Sequence, residues 1–302
     1  MTGADDLEVR VPVATMWTGP EAPRDIDAAA VLDDPDVAGW AAAMDAAVRK
    51  GLDGRTLTQL LLGESVRVLE DRDGWVRVTA SRQPSSQCSQ GYPGWMRAAH
   101  LGAPARRTTG TTAHVMTRST HCHAEEGTRT ELSFGTALAV GRVDEQSVRV
   151  SLPDGRCARV PRSDVRLTDA PGRPDRVSEG VLCSARQFLG LRYLWGGTST
   201  WGLDCSGLVH LAYRAHGVVV PRDAHDQARA VLAVPLDEVE PGDLYFFVRP
   251  DRRVYHVGFA TRPVSPDGGR WMLHAPESGE LVEDAPMAPH RVRTLASAGR
   301  VL

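Results

Sequence analysis

The chain has 302 residues, 42% of them hydrophobic and 24% charged, which is enough for about two or three domains. Its 35 basic and 38 acidic residues nearly cancel, so the composition gives no reason to expect binding to nucleic acid or to an anionic membrane. No apolar run is long enough to span a bilayer. Five scattered cysteines do not suggest a disulfide framework, and the first residues, MTGADDLEVRVPV, lack the basic start and apolar stretch of a signal peptide. We therefore expect a cytoplasmic monomer with reduced thiols and no metal or other cofactor.

The first third of the chain alternates between β and helical patterns. Residues 7–16 alternate apolar and polar side chains and predict a strand, whereas the Ala-rich residues 25–50 predict one or two helices. Strand character returns in residues 57–80, where Asp71-Arg72-Asp73-Gly74 is a hairpin turn signal. We interpret residues 1–104 as a small all-β barrel of SH3-like type that carries a helical insertion.

The rest of the chain predicts two further domains. Residues 112–168 repeat short strands and turns, which indicates a second, smaller SH3-like barrel at about 110–170. A Pro-rich linker at 169–175 follows. Residues 171–302 begin with a helix at 176–189 and continue with helices first and strands afterwards. That order predicts an α+β domain with an antiparallel sheet.

A cysteine lies at the predicted start of one helix in the C-terminal domain. The apolar stripe of that helix repeats at helical spacing, at Leu208, Leu211, Ala212 and Ala215. Gly217 is placed to end the helix, and Asp204 and Ser206 are both possible N-caps. The unpaired N–H groups at a helix start favour negative charge, so we expect the Cys205 thiol to lose its proton readily. Cys205 is therefore a candidate nucleophile.

Two histidines in neighbouring predicted strands could serve this cysteine. Strand alternation places His256 on the same face as Gly258, and His274 on the same face as Met272. His256 would accept the Cys205 proton, and His274 would hold the other ring nitrogen of His256. The alternative is that these are three unrelated polar residues in a core.

Six motifs in this domain resemble those of the NlpC-type cell-wall cysteine peptidases. They are YLWGG at 193–197, DCSGL at 204–208, PRDA at 221–224, PGDLYFF at 241–247, HVGF at 256–259 and LHAP at 273–276. The resemblance covers about residues 176–302 and implies a papain-like fold that cleaves peptides of bacterial peptidoglycan. It implies Cys205 as nucleophile, His256 as base and His274 as third residue, with Tyr193 beside an oxyanion hole. The same motifs imply that Trp195, Arg222 and Asp223 contact the substrate.

The N-terminal half resembles one subgroup of these peptidases, which carries two SH3-like domains and releases L-Ala-γ-D-Glu. The matching motifs are VATMWTGPEAPRDID, LTQLLLGE and GYPGWM. The resemblance implies that Tyr92 and Glu64 bind the free ammonium of L-Ala, and that Asp204 and Ser206 line the same pocket. A buried carboxylate facing an ammonium would select peptides with a free N-terminus. Alternatively, Glu64 is a solvated acid at a strand end.

We therefore expect a peptidase whose substrate is a free murein peptide, cleaved between γ-D-Glu and the diamino acid. A second possibility keeps the same triad but uses it on intact peptidoglycan or for acyl transfer. A third is a wall-peptide-binding protein with an inert peptidase-like domain. The cluster His121-Cys122-His123 has no partner motif at metal-ligand spacing, so we do not interpret it as a zinc site.

Overall fold

The computed structural model describes residues 6–168 and 177–301, so the predicted linker at 169–175 lies outside the described residues. Most of the strands form three large sheets of seven, seven and six strands, in that order along the chain. Within the described ranges, no helix is both long enough and apolar enough to cross a membrane. The mixture of helices with antiparallel sheets is the predicted α+β class.

The first barrel contains a seven-stranded sheet in the order β3-β2-β6-β5-β4-β1-β7. Its strands are β1 (Asp6–Val9), β2 (Val13–Trp17), β3 (Thr56–Leu61), β4 (Ser65–Arg72), β5 (Trp75–Ala80), β6 (Tyr92–Arg97) and β7 (Leu101–Gly102). The single strand predicted at 7–16 is two strands, because Pro12 has no N–H to donate to a continuous ladder. The predicted hairpin turn joins β4 to β5 through Asp73 and Gly74, whose φ values of 50° and 78° suit a two-residue hairpin loop.

A helical insertion separates β2 from β3, as predicted. It comprises a 3-10 turn at Asp25–Ala30 and the helices α1 (Val37–Ala43) and α2 (Ala46–Lys50). The indole of Trp40 donates a hydrogen bond to the buried carboxylate of Asp27 at 2.9 Å. The apolar side chains of the insertion pack into the same core as those of the C-terminal domain. The insertion therefore joins the first barrel to that domain.

The second barrel is also a seven-stranded sheet, in the order β10-β9-β13-β12-β11-β8-β14. Its strands are β8 (Thr112–Val115), β9 (Ser119–Ala124), β10 (Arg129–Ser133), β11 (Ala137–Val143), β12 (Ser147–Ser151), β13 (Cys157–Pro161) and β14 (Val165–Thr168). Strand β9 was not predicted, because its polar residues conceal the alternation that buries Thr120, Cys122 and Ala124. The boundaries predicted for the three domains stay predictions.

The C-terminal domain packs helices against a six-stranded sheet in the order β17-β22-β18-β19-β20-β21. Its helices are α3 (Val177–Arg186), α4 (Cys205–Ala215), α5 (Ala224–Ala230) and α6 (Pro289–Thr294). Its strands are β15 (Thr198–Ser199), β16 (Gly202–Leu203), β17 (Leu232–Val234), β18 (Leu244–Val248), β19 (Val254–Ala260), β20 (Trp271–His274), β21 (Glu283–Pro286) and β22 (Leu295–Arg300). The helix predicted at 176–189 ends at Arg186, and its predicted first residue lies outside the described residues. Helix α4 packs on β19, which brings the cysteine helix to a histidine strand.

Polar contacts fix the first barrel to the loop that precedes α4. The amide of Gln59 accepts from the Ser199 hydroxyl at 2.9 Å, and its backbone carbonyl accepts from the Thr198 hydroxyl at 2.7 Å. The buried guanidinium of Arg49 donates to the Tyr193 carbonyl at 2.8 Å. Because these partners lie beside the cysteine, the barrel helps to shape one wall of the site.

Candidate active site

The nucleophile helix begins where its sequence predicts. Asp204 is the N-cap of α4, and its Oδ1 accepts from the Gly207 N–H at 2.6 Å, so Cys205 is the first helical residue. A Cβ atom at position 207 would lie 2.1 Å from the Gly197 carbonyl oxygen, so only glycine allows this close approach. At the other end, Gly217 has a φ of 81°, the left-handed conformation expected after a helix.

Burial favours the neutral forms of both Cys205 and His256. Burial and the carboxylate of Asp204 raise the pKa of Cys205 to about 12, although the backbone N–H groups of Ser206 and Val257 act in the opposite direction. Burial, together with any positive charge on His274 or Arg291, lowers the pKa of His256 well below its usual value. Our prediction of a readily ionised thiol is therefore wrong, because desolvation of the Cys205 thiol outweighs the effect of the helix terminus. A base that activates this thiol would therefore have to take its proton as the sulfur attacks.

The two predicted histidines are hydrogen-bonded to each other. His256 Nε2 lies 2.8 Å from His274 Nδ1, and the two rings meet edge to face with centroids 5.0 Å apart. They reach each other across Gly258, where an added Cβ would lie 2.6 Å from the Met272 sulfur and 3.0 Å from the His274 Cβ. The strand alternation predicted for β19 and β20 thus brings both imidazoles to one face.

A carboxylate that was not predicted extends this chain of hydrogen bonds. Glu283 on β21 lies directly opposite His274 on β20, and its Oε1 is 3.3 Å from His274 Nε2. Since a carboxylate only accepts, His274 must carry its proton on Nε2, and its Nδ1 must accept from the Nε2–H of His256. That tautomer leaves His256 Nδ1 as the basic nitrogen available to Cys205. Glu283 could have been identified by searching the strand that pairs with β20 for an acidic residue opposite His274.

An open cavity of about 800 Å³ lies over the cysteine and the base. Its wall includes Cys205, Tyr193, Trp195 and His256 from the C-terminal domain. Burial, together with the nearby carboxylate of Asp204, raises the pKa of Tyr193 well above its usual value, so its phenol stays protonated. A protonated phenol beside the nucleophile can donate to an oxyanion, which agrees with the role implied for Tyr193.

The first barrel also lines the cavity and contributes Tyr92 to it. The Tyr92 hydroxyl donates to Asp223 Oδ2 at 3.0 Å, and both residues line the cavity, as do Asp204 and Ser206. Asp223 is the N-cap of α5 by backbone conformation, but its side chain makes no capping hydrogen bond. Its carboxylate is therefore available on the cavity side.

Comparison with known proteins decides the family. Residues 190–298 match the NlpC/P60 family, and residues 48–101 match the bacterial dipeptidyl-peptidase SH3 domain. The sequence is 31% identical to a γ-D-glutamyl-L-lysine dipeptidyl-peptidase of Bacillus cereus, an alignment that covers 97% of this chain and 90% of the relative. The chain belongs to the NlpC/P60 family. The predicted family and the predicted enzyme class, a cysteine peptidase, are confirmed.

Two further comparisons extend over almost the whole of this NlpC/P60 peptidase. A γ-D-glutamyl-L-lysine dipeptidyl-peptidase of Bacillus subtilis is 34% identical over 90% of both chains. The crystal structure of an NlpC/P60 family protein from Bacillus cereus has a TM-score of 0.92 at 30% identity, and it covers 99% of this chain and all of that one. The predicted fold class, a papain-like domain preceded by SH3-like barrels, is confirmed.

Two residues predicted to bind substrate lie elsewhere in this NlpC/P60 peptidase. Glu64 does not line the catalytic cavity. Its carboxylate is buried in an ion pair with Arg214 of α4 at 2.6 Å and accepts from the Leu61 N–H at 2.9 Å. Arg222 is also fully buried, behind Asp204, and its guanidinium donates to both carboxylate oxygens of that residue at 2.6 and 3.0 Å. Both side chains are occupied by protein partners, so we correct their assignment to structural support.

The cluster around Cys122 lies far along the chain from this site, in the second barrel. Strand alternation buries Cys122 in the core of that barrel, whereas the side chains of His121 and His123 project from the opposite face of β9. The strand geometry therefore separates the thiol from the two imidazoles.

Proposed function

We propose that this protein hydrolyses the bond between γ-D-Glu and the diamino acid in free murein peptides that begin with L-Ala. The names of the two Bacillus relatives support the γ-D-glutamyl bond as the reacting bond and a dipeptide as the released unit. The arrangement of Tyr92 and Asp223 beside Cys205 supports the free N-terminus.

The observation that carries this proposal is the hydrogen bond between Tyr92 and Asp223 on the cavity wall. Burial raises the pKa of the Asp223 carboxyl, while the neighbouring Arg222 acts in the opposite direction. A bound ammonium would favour the ionised carboxylate, so Asp223 and the ammonium of L-Ala would stabilise each other. Asp223 would thus take the role that the resemblance implied for Glu64. An acylated amine would lack the charge that pairs with the Asp223 carboxylate.

The chemistry requires two steps. The Cys205 sulfur attacks the γ-carbonyl carbon of D-Glu while His256 takes the thiol proton, and the Tyr193 hydroxyl and the Cys205 N–H would donate to the oxyanion. The C–N bond then breaks, and His256 gives its proton to the leaving amine of the diamino acid. In the second step water attacks the thioester, which releases the L-Ala-γ-D-Glu acid and regenerates the thiol.

Kinetics on a matched pair of peptides test the proposal. We expect L-Ala-γ-D-Glu-diaminopimelate to be cleaved with a kcat/KM at least about 10- to 100-fold above that of its N-acetyl form, the range for a charge-assisted hydrogen bond. Asp223→Asn should remove most of this preference. The exposed acid Asp237 lies outside the cavity, so Asp237→Asn is the matched control. Cys205→Ala should abolish hydrolysis of both peptides.

Three outcomes would contradict parts of the proposal. Equal rates on the two peptides would exclude a free-amine requirement. If mass spectrometry shows that intact sacculi are cleaved at a rate comparable to that of the free peptide, the result would favour the alternative of a hydrolase that acts on intact peptidoglycan. No turnover of either peptide by a folded wild-type chain would favour the inert binding protein.

Location and oligomeric state stay proposals. We propose that the peptidase acts in the cytosol as a monomer, as its sequence led us to expect. Recovery in the medium without lysis would contradict the first statement, and a dimer mass in sedimentation equilibrium would contradict the second.

A further inference from the structure

The catalytic cavity has a cationic region beside the general base. Arg249, Arg253 and Arg291 all line the cavity next to Tyr255 and His256. The guanidinium carbons of Arg249 and Arg291 each lie 5.6 Å from the centroid of the Tyr255 ring. The Tyr255 ring centroid is in turn 6.1 Å from that of His256. Two guanidinium groups therefore converge on the part of the cavity that adjoins the base.

The burial of Arg291 is not balanced by a protein carboxylate. Its side chain donates to the Tyr255 hydroxyl at 3.1 Å and to the Pro276 carbonyl at 3.2 Å, while its Nε is buried without a partner. Arg291 is 5% exposed, and among the described residues no carboxylate forms an ion pair with it. A buried cation without a counter-ion is costly, so an anion bound on this side of the cavity would stabilise Arg291.

Arg249 is the accessible member of the pair. It lies in the turn between β18 and β19, and within the described residues its guanidinium makes the cation–π contact with Tyr255 but no ion pair. Arg253, in the same turn, is already bound to Asp251 at 2.6 Å. Arg249 can therefore turn its guanidinium fork to a ligand without breaking a salt bridge.

The part of the substrate that meets these arginines follows from the reaction. His256 must give its proton to the leaving amine, so the residue that bears this amine lies within hydrogen-bond reach of the imidazole. Tyr92 and Asp223 line the cavity beside the buried Arg222–Asp204 pair, whereas Arg249 and Arg291 lie against Tyr255. The acyl half of the peptide would lie beside Tyr92 and Asp223, and the leaving half would lie against Tyr255.

We propose that Arg249 and Arg291 form a carboxylate-binding subsite for the leaving diamino acid. Two carboxylates could fill it: the α-carboxylate of a peptide that ends at this residue, or the side-chain carboxylate of a diaminodicarboxylic acid. Lysine has only the first. Glu277, exposed on the same wall and without an ion pair in the described chain, is placed to meet the ammonium of the diamino acid. This inference rests on the proposed function, since it assumes that the γ-D-glutamyl bond is the one cleaved.

Four peptides with the same L-Ala-γ-D-Glu start distinguish the two carboxylates. Their third residues are lysine, lysine amide, diaminopimelate, and diaminopimelate amidated on its side-chain carboxylate. We expect wild type to lose about 10-fold in kcat/KM when the carboxylate that fills the subsite is amidated or absent, chiefly through a higher KM. Arg249→Gln should lose about as much on the preferred peptide and little on its amide. Arg252→Gln is the matched control, because Arg252 is exposed in the same turn but does not line the cavity.

The results separate this inference from the proposed function. A preference for free lysine over its amide identifies the α-carboxylate, and a preference for diaminopimelate over both lysine and its own amide identifies the side-chain carboxylate. Either preference, lost in Arg249→Gln and kept in Arg252→Gln, supports the subsite. Hydrolysis of all four peptides at similar rates, or a preference that survives Arg249→Gln, overturns the subsite but leaves the proposed function intact. No hydrolysis of any of the four overturns both.

Discussion

At the residue scale, the proposed role of His256 as base depends on which nitrogen of His274 carries the proton. Burial lowers the pKa of His274 to about 3, and the nearby Arg291 and His290 act in the same direction, so this ring is neutral at neutral pH. A neutral ring has one donor and one acceptor nitrogen. The carboxylate of Glu283 selects the tautomer in which Nδ1 accepts from His256. We therefore infer that Glu283 positions the proposed base, His256, through His274.

Replacing Glu283 tests this role. We expect Glu283→Ala to lower kcat about 3- to 10-fold with KM unchanged, because a half-exposed hydrogen bond is lost and the other His274 tautomer becomes populated. Glu283→Gln should retain more activity, since its amide oxygen still accepts from Nε2. Glu280→Ala removes an exposed acid that precedes the same strand and serves as the control. An unchanged kcat in Glu283→Ala would show that His274 keeps its tautomer without the acid.

The sequence singles out the three candidate triad residues because each lies inside a local motif, and their catalytic roles stay predictions. Cys205 follows an N-cap, and His256 and His274 lie on strands whose alternation fixes their faces. Glu283 could not be predicted in this way, since EDAP has no alternating pattern and its partner is reached only through strand pairing. Glu64 illustrates the same difficulty, because its charge partner Arg214 is 150 residues away in the sequence.

At the scale of elements, the ion pair between Glu64 and Arg214 fastens the first barrel to the nucleophile helix. The side chains are 8% and 6% exposed, so each charge depends on the other for compensation. The sequence predicted the barrel, the helical insertion and the α+β domain from their periodicity. It did not predict β9, β21 or α6, whose short or polar sequences carry little of that signal.

Breaking this pair should affect stability rather than specificity. We expect Glu64→Gln to destabilise the fold by about 3–5 kcal/mol, because the buried guanidinium of Arg214 loses its counter-ion. The ratio of kcat/KM for free and N-acetylated peptides should stay as in wild type. Guanidinium denaturation and the peptide assay measure the two quantities. The double variant Glu64→Leu/Arg214→Met should recover much of the loss, and a loss of free-amine preference in Glu64→Gln would restore our first assignment.

At the scale of the whole molecule, buried neutral histidines make the fold sensitive to acid. Histidines with lowered pKa values lie in every domain, and burial is the largest cause for each: His100, His114, His210, His256 and His274. Burial lowers the pKa of His210 from 6.5 to about 3. An unfolded chain therefore binds protons that the folded chain rejects. The stability that these neutral histidines contribute is fully present above pH 6.5, and it is lost as the pH falls towards their folded-state pKa values.

The free energy of unfolding should therefore fall steeply below pH 6.5. Each such histidine contributes a slope of about 1.4 kcal/mol per pH unit between its unfolded and folded pKa values. His210→Gln should be less stable than wild type at pH 7.5. As the pH falls, its free energy of unfolding should decrease less steeply than that of wild type, by about 1.4 kcal/mol per pH unit. Denaturant titrations at pH 5, 6 and 7.5 measure the difference. Parallel curves for the two proteins would show that His210 takes up no proton on unfolding in this range.

The hydrogen bonds that β3 makes to the loop before α4, and to Arg222 after α4, limit which parts of this protein can be exchanged by recombination. Thr58 accepts from the Arg222 guanidinium at 2.8 Å, and Arg222 in turn holds Asp204, the N-cap of the nucleophile helix. An SH3-like module that only tethers an enzyme to its target can be swapped for another without altering the chemistry. Here a transplanted barrel would have to bring its own equivalents of Thr58 and Gln59, or the recipient would receive a misaligned nucleophile. The first barrel and the C-terminal domain would therefore have to be exchanged together for the enzyme to keep its activity.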